Sequence, residues 1–327
     1  MARRFFGLNL DKLSPMVATG IVVFSTLFFH LLYAFAQERA FKVKKVSFYW
    51  FFVVIQGAVY ILCGKIEDAI NGRRPSSMSL SELQSYFNRA LLPNVVPVAV
   101  VVLLERLLGS MSLKYIDFVT RVIFQSSKLI PVMIIGTLVL GKKYNWITYL
   151  SACLIIIGVI SISLADAAVS PAFDNVGIVL VSLSILFEAS KSILQERAST
   201  NMSTSPSRLL QWFNFFTIVF ALPIAIYKGD VESGVRYFMA TPSALLWVPG
   251  MFVLGFAGSY SNMVLIDQTD AFVCSLVGTF RKLLTIIFSI VYYHKPWNEY
   301  HAIGIGSAIL GTFLINVAKR TRRKKHH

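Results

Sequence analysis

The chain has 327 residues, 56% of them hydrophobic and only 14% charged, where a soluble domain carries roughly 25%. Apolar runs of about 20 residues recur along its whole length, enough to cross a hydrocarbon core of roughly 30 Å, so the chain reads as an all-α polytopic membrane protein. The alternating ten-residue strands of a barrel are absent, and the net charge of +15 does not call for nucleic acid, because most of it flanks membrane segments where lysine and arginine set orientation.

The N-terminal "MARRFFGLNLDKLSP" is basic, but the apolar stretch behind it is too long for the core of a cleaved signal, so it reads as the first span. Ten spans are predicted, near 15–36, 46–64, 90–110, 117–140, 145–165, 176–194, 208–228, 243–265, 271–293 and 299–318. The longest loop, 65–89, is polar, and its end suits a short amphipathic helix. "ADAAVSPAFDN" (165–175) is a turn-rich connector near the middle of the chain. Cys63, Cys153 and Cys274 stand singly in apolar segments, with no metal or disulfide spacing.

The two halves repeat. Gln37-Glu38-Arg39-Ala40 at the end of the first span matches Gln195-Glu196-Arg197-Ala198 at the end of the sixth, and Lys128 of the fourth aligns with Lys282 of the ninth. An odd number of spans per half gives the halves opposite orientation. The expected architecture is therefore two inverted five-helix repeats, 1–165 and 166–318, followed by a basic tail, 319–327. Inverted repeats of this kind belong to transporters, with the binding site at the repeat interface near the bilayer midplane. With both tails on one side, that side holds seventeen lysines and arginines in its loops and tails against eight on the other, which places both termini in the cytosol.

Six basic residues fall within the predicted spans: Arg106, Arg121, Lys128, Lys191, Arg281 and Lys282. A charge near the bilayer centre costs roughly 2.5–3.5 kcal/mol on insertion scales and is tolerated facing a bundle interior or a wet cavity. Arg121, Gln125 and Lys128 are spaced by four and three, which puts them on one helical face, with Asp117 one turn earlier. Ser275, Thr279, Lys282, Thr285 and Ser289 make a similar stripe, beside Arg281. Two cationic stripes suit an anionic ligand, and phosphate is the natural one, since arginine grips it bidentately and lysine acts as a point charge. Glu188 and Lys191, spaced i, i+3, suit either a pair with each other or a site role. Adjacent Glu105 and Arg106 point to different faces and suit a position near the interface. His30 and Tyr33 are candidates to line a cavity, although a lone histidine more often serves as a structural hydrogen-bonder. No catalytic motif is present, and neither an enzyme activity nor a cofactor is expected.

At these residues the sequence resembles the nucleotide-sugar transporters of the Golgi and endoplasmic reticulum, within the drug/metabolite transporter superfamily. "LLYAFAQERAF" is similar to the first-helix Tyr-Gly-x-x-Gln-Glu pattern, with Ala34 in place of glycine. "SSKLIPVMIIG" is similar to the Lys-x-Ile-Pro-Val-Met signature, and "VGTFRKLLTI" to Thr-x-x-Arg-Lys-x-x-Thr. The branch it resembles contains UDP-galactose and UDP-N-acetylglucosamine transporters and carriers of the sulfate donor PAPS (3′-phosphoadenosine 5′-phosphosulfate). "VIFQSSKLIPVM" and "LADAAVSPAFDNVGIVLVSLSILFEASKSILQERA" look most like the PAPS carriers. The resemblance implies alternating access and exchange of a cytosolic nucleotide donor for a lumenal nucleotide monophosphate or bisphosphate. It places Lys128, Arg281 and Lys282 on the phosphates, with Gln37 and Thr285 nearby. Phe280 and the charged Glu105-Arg106 depart from its pattern. The expected partners are a nucleotide-linked substrate and membrane lipids, and a homodimer is compatible with this reading.

The tail "KRTRRKKHH" places Lys324 and Lys325 where coat proteins read a cytosolic di-lysine signal for retrieval to the endoplasmic reticulum; an ordinary basic flank would look the same. The signal fits endoplasmic-reticulum or cycling residence and keeps a UDP-sugar substrate open. Two rival classes fit less well. A proton-driven organic-cation exporter using Glu105 or Glu188 would repel its substrate with this many intramembrane cations, and a membrane scaffold has no use for the repeated lysines.

Overall fold

The computed structural model describes residues 4–44, 48–73, 87–112, 115, 124–125, 128–166, 175–202, 204–278, 280–281 and 299, with scattered positions from 303 to 314. A two-stranded hairpin, β1 (Arg4–Phe5) and β2 (Leu8–Asn9), opens the chain. Among the described residues the longer helices that follow are α1 (Pro15–Lys44), α2 (Tyr49–Ile70), α3 (Val96–Ser112), α4 (Leu129–Leu140), α5 (Trp146–Asp166), α6 (Asn175–Met202), α7 (Pro206–Tyr227), α8 (Asp230–Ala240) and α9 (Ala244–Gln268). Residues 271–278 are helical as well. Among the described residues six helices are long and apolar enough to cross a bilayer, and the fold is all-α and polytopic.

The chain forms two compact units, Met1–Leu103 with Leu194–Cys274, and Leu104–Ile193 with Ser275–His327. Each takes residues from both sides of position 166, so this division is a different one from the sequence repeat.

In the first unit α2 lies along α7 and α1 along α9. Small residues set the first of these approaches: a Cβ on Gly57 would stand 2.7 Å from Ile218, and one on Gly64 2.6 Å from Gln211. Leu91, Val95, Val98 and Ala99 pack with Ala198, Leu209, Phe213, Phe216 and Met263 into a core cluster. α7 starts where Pro206 supplies a ready-made first-turn φ and the Ser205 hydroxyl accepts from the Arg208 N–H (3.4 Å).

Four features of this unit differ from the sequence expectation. α1 continues to Lys44 rather than ending at 36, and α6 to Met202 rather than 194, because "QERA" and the polar residues around it sustain a helix beyond the apolar span. The loop expected from 65 begins only after Ile70, since "KIEDAI" completes α2. The expected connector after α7 contains α8, with Asp230 and Glu232 in its first turn and Gly234 packed on Phe51. Asp230 also accepts from the Trp50 N–H (2.8 Å), which caps α2 where Phe48 offers no side-chain cap.

The basic N-terminus is the fourth. Phe6 (φ 48°) and Gly7 (φ 79°) make the two-residue turn that a tight hairpin needs. So short a hairpin has no stability of its own. Tertiary contacts hold it: Phe5 is 3% exposed and stacks on Tyr260 at 5.6 Å, and the Phe6 N–H donates to Glu67 Oε1 (3.0 Å). The Tyr260 hydroxyl donates to the Arg4 carbonyl (3.2 Å), and Arg4 to the Asn71 carbonyl (3.2 Å).

In the second unit α4 packs on α5, and Val181 and Ile185 of α6 form a small core with Phe124. α4 ends at Gly141, whose left-handed conformation (φ 63°) closes the helix.

Candidate functional site

Two ion pairs organise the second unit. On α6, Glu188 and Lys191 lie three residues apart and so share a face. Lys128 donates to Glu188 Oε1 at 2.8 Å, and Lys191 donates to Glu105 Oε2 at 2.8 Å. The four side chains are 14–26% exposed. The Ser184 hydroxyl, one turn before Glu188, donates to the Glu105 carbonyl (3.0 Å) and fixes the backbone of α3 against α6. At this separation the Coulomb attraction is roughly 6 kcal/mol at an effective dielectric of about 20, of the same order as the several kcal/mol needed to desolvate each ion. Such a pair is near break-even when formed, and leaving one partner alone costs about 3–5 kcal/mol.

This arrangement bears on three sequence expectations. Glu188 pairs with Lys128 and Lys191 with Glu105, each across to another helix or turn, while Glu188 and Lys191 stay within each other's electrostatic reach. Glu105, given no partner by the sequence, faces α6 and meets Lys191, while Arg106 follows about 100° further round the helix. Of the expected span 117–140, residues 117–123 and 126–127 lie outside the described residues, and Lys128 stands at the start of α4. It is the N-cap of α4, its carbonyl accepting from the Val132 N–H (3.0 Å). Pro131, which lacks an N–H, is tolerated because it falls in the first turn. The ammonium therefore stands where α4 presents the positive end of its dipole, and the pair places a carboxylate beside it.

The second lysine-bearing motif comes close to the first. A Cβ on Gly278, in "VGTFRK", would lie 4.0 Å from Lys128 Nζ, so the glycine backbone sits just beyond contact with the ammonium. Arg281 is half-buried in the helical turn that follows. Gln125 is helical and half-buried. Arg121, Thr279, Lys282, Thr285, Lys324 and Lys325 lie outside the described residues.

Tyr33 belongs to the first unit. Gln56 donates to the hydroxyls of Tyr33 (3.3 Å) and Tyr60 (3.1 Å), and the Ser259 hydroxyl is 3.4 Å from Tyr60 Oη. Gln37 lies in the helical part of α1, its side chain outside the described residues. His30 Nδ1 is bonded to the Thr26 carbonyl one turn back (2.9 Å) and packs on Gly258.

Sequence reasoning passed over a third polar group, at the C-terminal end of α2. Glu67 is 2% exposed and accepts from Asn71 (2.7 Å) as well as from the hairpin. Asp68 accepts from Gln211 (2.8 Å) and lies 3.5 Å from Arg73. The signal was there to read: consecutive acids followed by Asn71-Gly72, a helix C-terminus pattern that places both carboxylates inside the helix.

Comparison with known proteins follows the same lines. A solved crystal structure aligns over 93% of this chain and 99% of its own length with a TM-score of 0.64 at 12% identity, so the two share a fold. Relatives named adenosine 3′-phospho 5′-phosphosulfate transporter 2 match nearly the whole chain. The Drosophila melanogaster protein is 29% identical over 90% of this chain and 75% of its own, and the Caenorhabditis briggsae protein 27% over 98% and 85%. The Homo sapiens protein is 28% identical over 94% and 74%. The profile of the UAA transporter family matches residues 19–319, and the chain belongs to that family of membrane carriers.

Proposed function

We propose that the chain is an antiporter that moves PAPS from the cytosol into the lumen of the Golgi or endoplasmic reticulum, in exchange for a nucleotide monophosphate or bisphosphate. The observation that carries this reading is the match of 90–98% of the chain to relatives that bear the name of that transport. The intramembrane charges support it, because phosphate and sulfate groups need cations held in a low-dielectric setting. On this reading Lys128, Arg281 and Lys282 hold the phosphates, and Arg121, Gln125, Gln37, Tyr33, Thr279, Thr285 and Glu188 complete the surroundings. The architecture is ten spans in two inverted repeats, 1–165 and 166–318, with both termini cytosolic. The shorter apolar helices Leu129–Leu140 and Trp146–Gly158 support a count beyond six.

The terminal Lys324-Lys325 favours a second reading, a UDP-sugar carrier resident in the endoplasmic reticulum, because sulfation is mainly a Golgi activity. One experiment separates the two. Proteoliposomes loaded with AMP, UMP or adenosine 3′,5′-bisphosphate are offered labelled PAPS, UDP-galactose, UDP-N-acetylglucosamine and ATP. PAPS uptake stimulated by internal adenine nucleotide is expected. Uptake of UDP-sugars alone moves the assignment to the second reading, and no stimulated uptake of any nucleotide refutes both. Lys282→Ala is expected to abolish exchange in a folded protein; full exchange removes Lys282 from the site.

A further inference from the structure

Lys128 already has an anion. We propose that Glu188 is a resident stand-in for the substrate's phosphate, and that the Lys191–Glu105 pair is the reserve that receives Glu188 when the substrate takes Lys128. The inference rests on the functional reading above. Glu188 Oε1 occupies one of the three donors of Lys128 at 2.8 Å, and its negative charge repels a phosphate arriving at the same ammonium, which drives the carboxylate off. A displaced carboxylate at this depth needs another cation. Lys191 lies three residues on along α6, on the same face, and its ammonium has three donors, one of which reaches Glu105 at 2.8 Å. Glu188 can therefore change partner by rotating its own side chain, without α6 moving. Glu105 keeps Lys191 turned toward α3 while the substrate is absent, and the Ser184 hydroxyl on the Glu105 carbonyl holds that helix in register. Gly278 brings no side chain up to the Lys128 ammonium, and among the described residues a methyl there would only just reach it, at 4.0 Å.

Two structural ion pairs and a displaceable stand-in predict opposite signs. If the Lys128–Glu188 pair only supports the fold, weakening it weakens or leaves unchanged the binding of nucleotide. If Glu188 competes for Lys128, neutralising it raises the fraction of protein ready to bind. The test measures equilibrium binding of adenosine 3′,5′-bisphosphate to the purified full-length protein, and half-saturation of PAPS exchange in proteoliposomes. Glu188→Gln is expected to tighten both about tenfold. Glu188→Asp, which shortens the reach to Lys128 by one methylene, moves the same way by less and serves where the glutamine variant does not accumulate. Lys191→Met removes the reserve and is expected to weaken binding about tenfold or more. Glu188→Gln added to Lys191→Met restores it, because no displaced charge then needs a home. Rescue of Lys191→Met by Glu105→Gln but not by Glu188→Gln shows that Lys191 serves Glu105 alone, and overturns the proposal. So does unchanged or weaker binding in both Glu188 variants. A wild-type protein that binds and exchanges no nucleotide instead overturns the functional reading, and this proposal with it.

Discussion

Gly64→Ala tests how tightly α2 and α7 are locked. The added methyl would meet Gln211 Cγ at 2.6 Å and its Cδ and Nε2 at 3.0 Å. Gln211 cannot simply swing aside, because its amide donates to Asp68 at 2.8 Å and lies 3.4 Å from the Ser207 hydroxyl. Moving it gives up a hydrogen bond to a buried carboxylate, about 1.5–3 kcal/mol, on top of about 1–3 kcal/mol of overpacking. Alanine returns about 1 kcal/mol of helix propensity. The net is a loss of about 1.5–5 kcal/mol, or roughly 2–7 °C in apparent melting temperature for a chain of this length. The assay is thermal unfolding in detergent at one scan rate, since such transitions are rate-dependent. Gln211→Ala alone loses the hydrogen bond without the clash. The double variant Gly64→Ala/Gln211→Ala is therefore expected to be no less stable than Gln211→Ala, well short of the sum of the two single losses. Additive losses, or a Gly64→Ala protein as stable as wild type, would show that this contact does not set the helix approach.

The opposite sign is expected at Gly278, where among the described residues a methyl meets nothing nearer than Lys128 Nζ at 4.0 Å. Gly278→Ala should leave the melting temperature unchanged or raise it, while raising the half-saturating nucleotide concentration by narrowing the space at that ammonium; affinity equal to wild type would place the ligand elsewhere. Phe5→Ala, which empties a side chain only 3% exposed, should cost about 3–5 kcal/mol and expose the N-terminus to proteolysis, and an unchanged melting temperature would mean the hairpin contributes nothing. Replacing Lys324 and Lys325 by serine should shift a tagged protein from the endoplasmic reticulum toward the Golgi in cells; an unchanged distribution assigns those lysines to an ordinary basic flank.

Span positions were the most legible part of the sequence, because a run of about 20 apolar residues has few alternatives in a helical membrane protein. α5 begins at Trp146 and ends at Asp166, one residue from each predicted bound, and α7 is displaced by two at its start. The helix ends that ran long, Lys44, Ile70 and Met202, are those where polar helix formers follow the apolar run: hydropathy marks where lipid stops, not where hydrogen bonding stops. The hairpin at Arg4–Asn9 was illegible because six residues carry too little pattern, and its stability comes from Tyr260 and Glu67, far away in sequence. At the candidate site the charged residues were all visible. Their partners were not, since Lys128 and Glu188 are 60 residues apart and Lys191 and Glu105 86. Spacing along one helix suggested Glu188 with Lys191. The fold instead offered each a partner across a helix contact, where a pair is better shielded from water.

That exchange of partners changes what the excess of intramembrane cations means. Counted from sequence, six basic residues in the spans suggest a site that attracts any anion. In the fold, two of the six, Lys128 and Lys191, are already matched by Glu188 and Glu105, and that part of the field is neutral at rest. A site neutral in this way discriminates by displacement. A ligand gains there only if it binds Lys128 better than a carboxylate held at 2.8 Å does. Phosphate and sulfate esters present two or three charged oxygens to one ammonium, and a neutral sugar hydroxyl cannot match them. An organic cation would have to be stabilised by Glu188 while leaving Lys128 bare at the same depth, which costs more than it returns. The pair thus works against the cation-exporter reading more directly than the count of cations does. On the proposed function, selectivity for charged groups then resides at α4 and α6, whatever base, sugar or sulfate the ligand carries beyond them.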